Sequence, residues 1–163
     1  MVTELLPLAR TRDLSVETRI SPVAAIDADR EKLHQIAVNL VSNAIRYTPE
    51  QGEILIDVDA APSERYPGGW ARLRVRDNGK GIAAEDRHRI FDPFLHLQPA
   101  IHHTSAGPDS AGLGLYIARG LVELHGGLIT VDSKPGEFTE FTVLLPFSRD
   151  GADASRAAPT GAP

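Results

Sequence analysis

Residues 33–49 read LHQIAVNLVSNAIRYTP. Leu33, Ile36, Ala37, Leu40, Val41, Ala44 and Ile45 recur at three- and four-residue spacing, which predicts a helix from about Asp29 to Tyr47. Asp27 or Asp29 can cap its start, and Pro49 with Gly52 ends it. At about 100° per residue, Gln35, Asn39, Asn43 and Arg46 fall within roughly an 80° arc. Two carboxamides one turn apart offer oxygens to a hard cation, and Arg46 can reach an anion that the cation also touches. The competing reading is an ordinary solvent-facing stripe. Such a stripe typically holds Glu and Lys, whereas Asn is a poor interior helix former. On this helix alone the two readings stand level.

Before the helix, Leu14–Ile20 alternates as a strand, and Val23–Ile26 is expected to form a second short one. Residues 2–10 read as a short helical lead-in interrupted by Pro7. After the helix, Ile54–Val58 and Leu73–Val75 alternate as strands, joined by a Pro/Gly-rich loop. The second strand runs into RVRDNGKGI, residues 74–82, where Asp77 ends the strand and Gly79 and Gly81 follow. A carboxylate there can accept from an exocyclic amino group, and bare backbone leaves room for a flat ring. A tight turn around Lys80 would use the same residues.

Ala83–Ile90 is expected to be a short helix, and residues 92–112 form a long irregular loop. Leu113–His125 predicts a second helix, stopped by Gly126 and Gly127. Gly112-Leu113-Gly114 opens it, where free backbone N–H groups and the positive dipole end favour phosphate. A flexible helix entry explains the glycines equally well. Leu128–Asp132 and Phe138–Phe147 are predicted strands, joined in a hairpin around Lys134-Pro135-Gly136. From Ser148 the tail lacks large apolar residues and is expected to be disordered. This order gives an α+β class, with helices layered on one face of a mixed sheet.

Composition limits the function classes. The 163 residues suffice for about one domain, and 42% hydrophobic with 24% charged residues is ordinary for a globular chain. A net charge of −5 argues against a broad nucleic-acid or anionic-membrane surface. There is no cysteine, which removes disulfides, thiolate metal sites and thiol nucleophiles. No apolar run reaches the roughly 18 residues of a spanning helix, and no signal peptide is evident. The expected location is the cytoplasm, with no nucleic-acid partner and no membrane contact by this domain.

The order of the motifs resembles the ATP-binding catalytic domain of sensor histidine kinases, in the superfamily shared with gyrase, the heat-shock chaperone ATPases and MutL. LHQIAVNLVSNAIRYTP is similar to that family's N box and DNGKGI to its first glycine-rich box. IFDPF (residues 90–94) is similar to its F box, and AGLGLYIARGLVELHGG (residues 111–127) to its second glycine-rich box and the following helix. The resemblance covers about residues 10–147. It implies a two-layer α/β sandwich of Bergerat type with a mixed, mostly antiparallel sheet. It divides the chain into a lead-in at 1–12, a catalytic domain at 13–147 and a tail at 148–163. The lead-in would be the remnant of a dimerisation and phosphoacceptor region.

Carried over by residue, the resemblance implies that Asp77 contacts the amino group of adenine, bordered by Gly79, Gly81 and Ile82. Asn43 with Asn39 would coordinate Mg²⁺, Arg46 would touch phosphate in place of the usual Lys, and Tyr47 would line the pocket. Gly112, Leu113, Gly114 and Leu115 would bring backbone to the phosphates, and Thr139 would complete the nucleotide site. Residues 92–111 would form a mobile ATP lid anchored by Phe91 and Phe94. Catalysis would rest on Asn39, Asn43 and Arg46, with ATP and Mg²⁺ as the ligands.

Three departures stand out. Gly136-Glu137-Phe138-Thr139-Glu140-Phe141 lacks the second glycine of the family's turn there, Ser110-Ala111 replaces a Gly/Thr pair, and no Lys or Arg lies between Arg89 and Arg119. His96, His102 and His103 in the loop read better as solvated residues than as a metal site. None of His34, His88 and His125 has the context of a phosphoacceptor. The chain is thus expected to act on a histidine of another domain or chain, in cis or in trans, with a response regulator downstream. In that reading it is the cytoplasmic part of a sensor. A nucleotide-gated ATPase, a regulatory nucleotide-binding module and a serine-kinase anti-sigma factor are the alternatives. An acid at position 39 would have favoured the ATPase branch; Asn39 does not.

Overall fold

The computed structural model describes residues 3–66, 68–93 and 112–148. A 3₁₀ turn (Thr3–Leu5) leads into α1 (Leu6–Arg10) and β1 (Ser15–Ile20). The long helix α2 (Arg30–Tyr47) comes next, then β2 (Glu53–Ala61), β3 (Trp70–Asp77), α3 (Gly114–Leu124), β4 (Leu128–Lys134) and β5 (Phe138–Pro146). The strands form one five-stranded sheet in the order β1-β2-β3-β5-β4. β1 runs parallel to β2 and the other neighbours are antiparallel. This is the expected mixed, mostly antiparallel α+β sheet.

Alternation decides which face is covered. Ile54, Ile56, Val75, Phe141, Val143 and Leu145 point to one side and are buried, together with Ile36, Leu40, Val41, Ala44 and Ile45 of α2 and Val122 of α3. The other face carries a charged ladder. Asp59 and Asp57 pair in register with Arg72 and Arg74, and Arg72 is held bidentately by Asp59 at 2.7 and 2.5 Å. The described helices therefore occupy one side only. Asp29 proves to be the cap of α2, its Oδ1 accepting from the N–H groups of Glu31 (2.8 Å) and Lys32 (3.2 Å).

Two expected elements are absent. Val23–Ile26 makes a single bridge, Ile26 to Phe147, and no strand. Residues 84–91 form successive turns in place of a helix. Their bonds are mainly three residues long, from Asp86 N–H to Ala83 O and from Arg89 N–H to Asp86 O. The segment has no continuous apolar stripe. Arg87 leaves it to donate to Ser133 O and to approach Asp132 at 3.7 Å. β2, β3 and β4 run longer than predicted, because sheet pairing extends them past the residues whose alternation is clean, whereas β1 and β5 are each one residue shorter. Phe94, His96, His102, His103, Ser110 and Ala111, with the rest of residues 94–111, lie outside the described residues, as does the tail from 149.

Candidate functional site

The polar stripe of α2, the end of β3 and the start of α3 converge. One cavity is lined by Asn39, Ser42, Asn43, Arg46 and Tyr47 from α2, by Asp77 at the end of β3 and by Lys80, Gly81 and Ile82 from the loop after it. Gly112, Gly114, Leu115, Ile90 and Thr139 close it. A larger cleft of about 370 Å³, against about 80 Å³ here, opens between β1 and the start of α2. Its walls are almost wholly aliphatic and lack convergent polar groups, the usual mark of a recognition site.

β3 ends on the core side of the sheet, so Asp77 is buried at 3% exposure. Loss of water raises its pKa to about 6, against the Gly79 N–H that donates to its Oδ1 at 2.9 Å and the nearby Arg76 charge. Its backbone pairs with Ile54 on one side and Thr139 on the other. Asn78 ties the loop down: its Oδ1 accepts from Glu53 N–H at 2.8 Å.

The two glycines of this loop have a reason beyond room for a ring. A Cβ on Gly79 would lie 2.5 Å from Tyr47 O, and one on Gly81 2.2 Å from Lys134 O. Gly81 also has φ +69°, a left-handed conformation that costs other residues. The chain's own backbone fills the space beside both. Lys80, which sequence reading treated only as part of a turn, lines the cavity with its ammonium 4.5 Å from the centre of the Tyr47 ring. Burial holds its pKa below the usual lysine range.

Leu113 is the N-cap residue of α3 and contributes no side-chain bond, so among the described residues the first-turn N–H groups have no side-chain cap. The helix start lies close to α2: a Cβ on Gly114 would sit 3.6 Å from Asn39 Oδ1. Asn39 Nδ2 is buried and has no partner among the described residues, a donor left for something in the cavity. Gln35, the remaining member of the predicted stripe, is exposed and does not line the cavity. Gly79, Phe91 and Leu113 also stand outside the lining. Phe91 is a core residue, edge-on to Phe141 with ring centres 6.2 Å apart.

Ser133 was missed by sequence reading. Its hydroxyl donates to Phe138 O (2.7 Å), accepts from Ile82 N–H (2.8 Å) and lies 3.2 Å from Thr139 Oγ1. It thus holds two wall residues in place. The available signal was its position in β4, the polar member of the inward series Ile129, Val131, Ser133. The turn that lacks the expected second glycine still closes, with Gly136 N–H donating to Lys80 O at 2.7 Å.

Residues 28–149 match the family described as histidine kinase-, DNA gyrase B- and HSP90-like ATPases. A sensor-like histidine kinase of Rhizobium meliloti is 37% identical over 145 residues, covering 88% of this chain and 26% of that protein. Sensor histidine kinase RcsC of Escherichia coli is 37% identical over 143 residues, 86% of this chain and 14% of its own length. The chain therefore spans about a quarter or less of these relatives. Among solved structures, full-length ShkA in complex with AMPPNP superposes with a TM-score of 0.74 at 32% identity, over 90% of this chain and 28% of that one. The nucleotide-free catalytic domain of histidine kinase ThkA gives 0.70 at 26% identity, over 89% and 86%. With the matched segment spanning the cavity from the cap of α2 to the end of the sheet, the chain belongs to the family of histidine kinase-, DNA gyrase B- and HSP90-like ATPases.

Proposed function

We propose that the chain binds ATP as its Mg²⁺ complex and presents the γ-phosphate to a histidine on a separate domain or chain. The observation that carries this reading is the convergence of a buried carboxylate, an amide pair with a cation, and an uncapped helix start around one cavity. Asp77 accepts from the adenine amino group, with Gly79, Gly81 and Ile82 along that border, Tyr47 and Thr139 in the walls, and Phe91 supporting them from the core. Arg46 and the amides of residues 112–115 meet the phosphates.

The donor set suits a cation that arrives with its nucleotide. Asn39 and Asn43 offer neutral amide oxygens, and among the described residues the sole carboxylate of the lining is Asp77, on the base side of this reading. Such a set is too weak to hold Mg²⁺ alone and is adequate when phosphate oxygens complete the shell. Bound Mg²⁺ would neutralise charge at the phosphates. The protein's share is to orient the triphosphate and stabilise developing negative charge with Arg46 and backbone amides. An incoming imidazole nitrogen then attacks the γ-phosphorus, the bond to the bridging oxygen breaks, and ADP leaves.

The acceptor belongs to a dimerisation domain, in cis in a longer protein or in trans, with a response regulator receiving the phosphate. The domain works on the cytoplasmic side of such a sensor. No described helix is long and apolar enough to cross a membrane. Isothermal calorimetry with ATP and GTP, with and without Mg²⁺, tests the binding step. ATP preference, Mg²⁺ dependence and loss in Asn43→Ala are expected; equal affinity for the two nucleotides would refute the base assignment.

A further inference from the structure

The last turn of α2 carries Arg46 and Tyr47, both in the cavity wall, and ends in carbonyls that the helix itself cannot satisfy. One guanidinium takes them. Arg12, in the turn between α1 and β1, donates through Nη1 to Ile45 O and to Arg46 O (3.2 Å), and through Nη2 to Thr48 O (3.0 Å). Its own carbonyl accepts from Gln51 N–H at 3.4 Å, so the chain beyond the helix is tied to the same residue. Tyr47 O, the carbonyl that Arg12 does not take, abuts Gly79 in the loop that follows Asp77.

The last turn of α2 is thus fixed from both sides, by Arg12 and by the loop after β3. A guanidinium at a helix C-terminus also meets the negative end of the dipole. We infer that Arg12 is a positioning residue for the ligand of this cavity. It holds the final turn of α2 so that Arg46 and Tyr47 meet the ligand in register with Asp77. Arg12 touches no ligand in this account; it acts through the backbone of residues 45–48. The inference rests on reading the cavity between α2 and α3 as the nucleotide site.

The test uses the full 163-residue chain, with AMPPNP and Mg²⁺ as the probe. Arg12→Ala, Arg12→Lys and Asn43→Ala are compared with wild type by calorimetry, at a temperature where circular dichroism shows each variant folded. Arg12→Ala is expected to bind roughly tenfold more weakly, a displacement of contacts and not their removal. Arg12→Lys, which keeps the charge without the planar fork, should fall between. A cap that only stabilised the fold would lower the melting midpoint and leave the affinity of the folded protein unchanged, and that result overturns the inference. If Arg12→Ala does not fold, Arg12→Lys decides, with several-fold weakening in support and wild-type affinity against. Wild-type binding by Asn43→Ala would sink the nucleotide-site reading itself. Loss in Asn43→Ala with none in the Arg12 variants would sink only the role of Arg12.

Discussion

Asp77 is a carboxylate placed where ionisation is costly, and its environment sets a pH dependence with a definite sign. Its pKa is raised from 3.8 to about 6, mainly by burial. The folded chain therefore binds this proton more tightly than the unfolded chain. The resulting contribution to stability is complete below about 3.8 and is lost as pH rises through about 6. Its size is on the order of 2–3 kcal/mol. Chemical denaturation between pH 4 and 7 should show this loss in wild type and not in Asp77→Asn. Ligand binding should run the other way under the proposed assignment, in which the ionised Asp77 accepts from the adenine amino group better than the protonated acid does. Affinity for ATP is expected to fall by up to about tenfold between pH 7 and 5. Asp77→Asn should bind more weakly by about 1–3 kcal/mol at pH 7, with the profile flattened. Titration calorimetry across that range checks both.

The glycines around the cavity separate into two kinds at the scale of the elements. Gly79 and Gly81 are pressed against backbone, whereas a methyl on Gly114 would make only ordinary contact with Asn39. Gly81→Ala should therefore destabilise the domain by more than about 2 kcal/mol through clash and a left-handed φ. Gly114→Ala should leave the melting midpoint near wild type while weakening phosphate binding several-fold, because the methyl stands where the helix start opens to the cavity. Thermal melting paired with nucleotide titration distinguishes the two. This division was not legible in the sequence. DNGKGI read there as close ligand approach or a tight turn and GLG as close ligand approach or a flexible helix entry, since a glycine does not say which atoms crowd it. The long helix was legible because its three- and four-residue spacing is set by one buried face, while its cap was legible only as Asp27 or Asp29, of which the structure has Asp29. β1 to β5 were legible in position, but β2, β3 and β4 were read too short: β3 continues on either side through Arg72 and Arg76, whose partners lie on β2 and β5. The helix at 83–90 failed because its helix-forming residues have no apolar face to dock. Arg12 and Ser133 were missed because each acts on backbone distant in sequence, Arg12 on residues 33 to 36 positions away.

For the molecule as a whole, the described residues of the cavity hold and polarise phosphates, in the proposed reading, more readily than they activate a water. A general base must reach that water, and Asn39 stands one turn before Asn43 with a neutral amide that cannot take a proton near pH 7. Asn39→Glu should raise steady-state hydrolysis of ATP above the wild-type rate, measured as phosphate release, by placing a carboxylate beside the start of α3. The wild-type chain should hydrolyse ATP slowly, acquire no label of its own, and give up phosphate when an imidazole is brought to it. The most direct measurement is incubation of the purified chain with γ-labelled ATP and Mg²⁺, alone and with a histidine acceptor domain in trans, following acid-labile protein phosphate and released phosphate together. Label is expected on the acceptor alone, lost in Asn43→Ala, with little free phosphate without the acceptor. Rapid phosphate release by the chain alone, abolished by Asn43→Ala, would contradict that expectation.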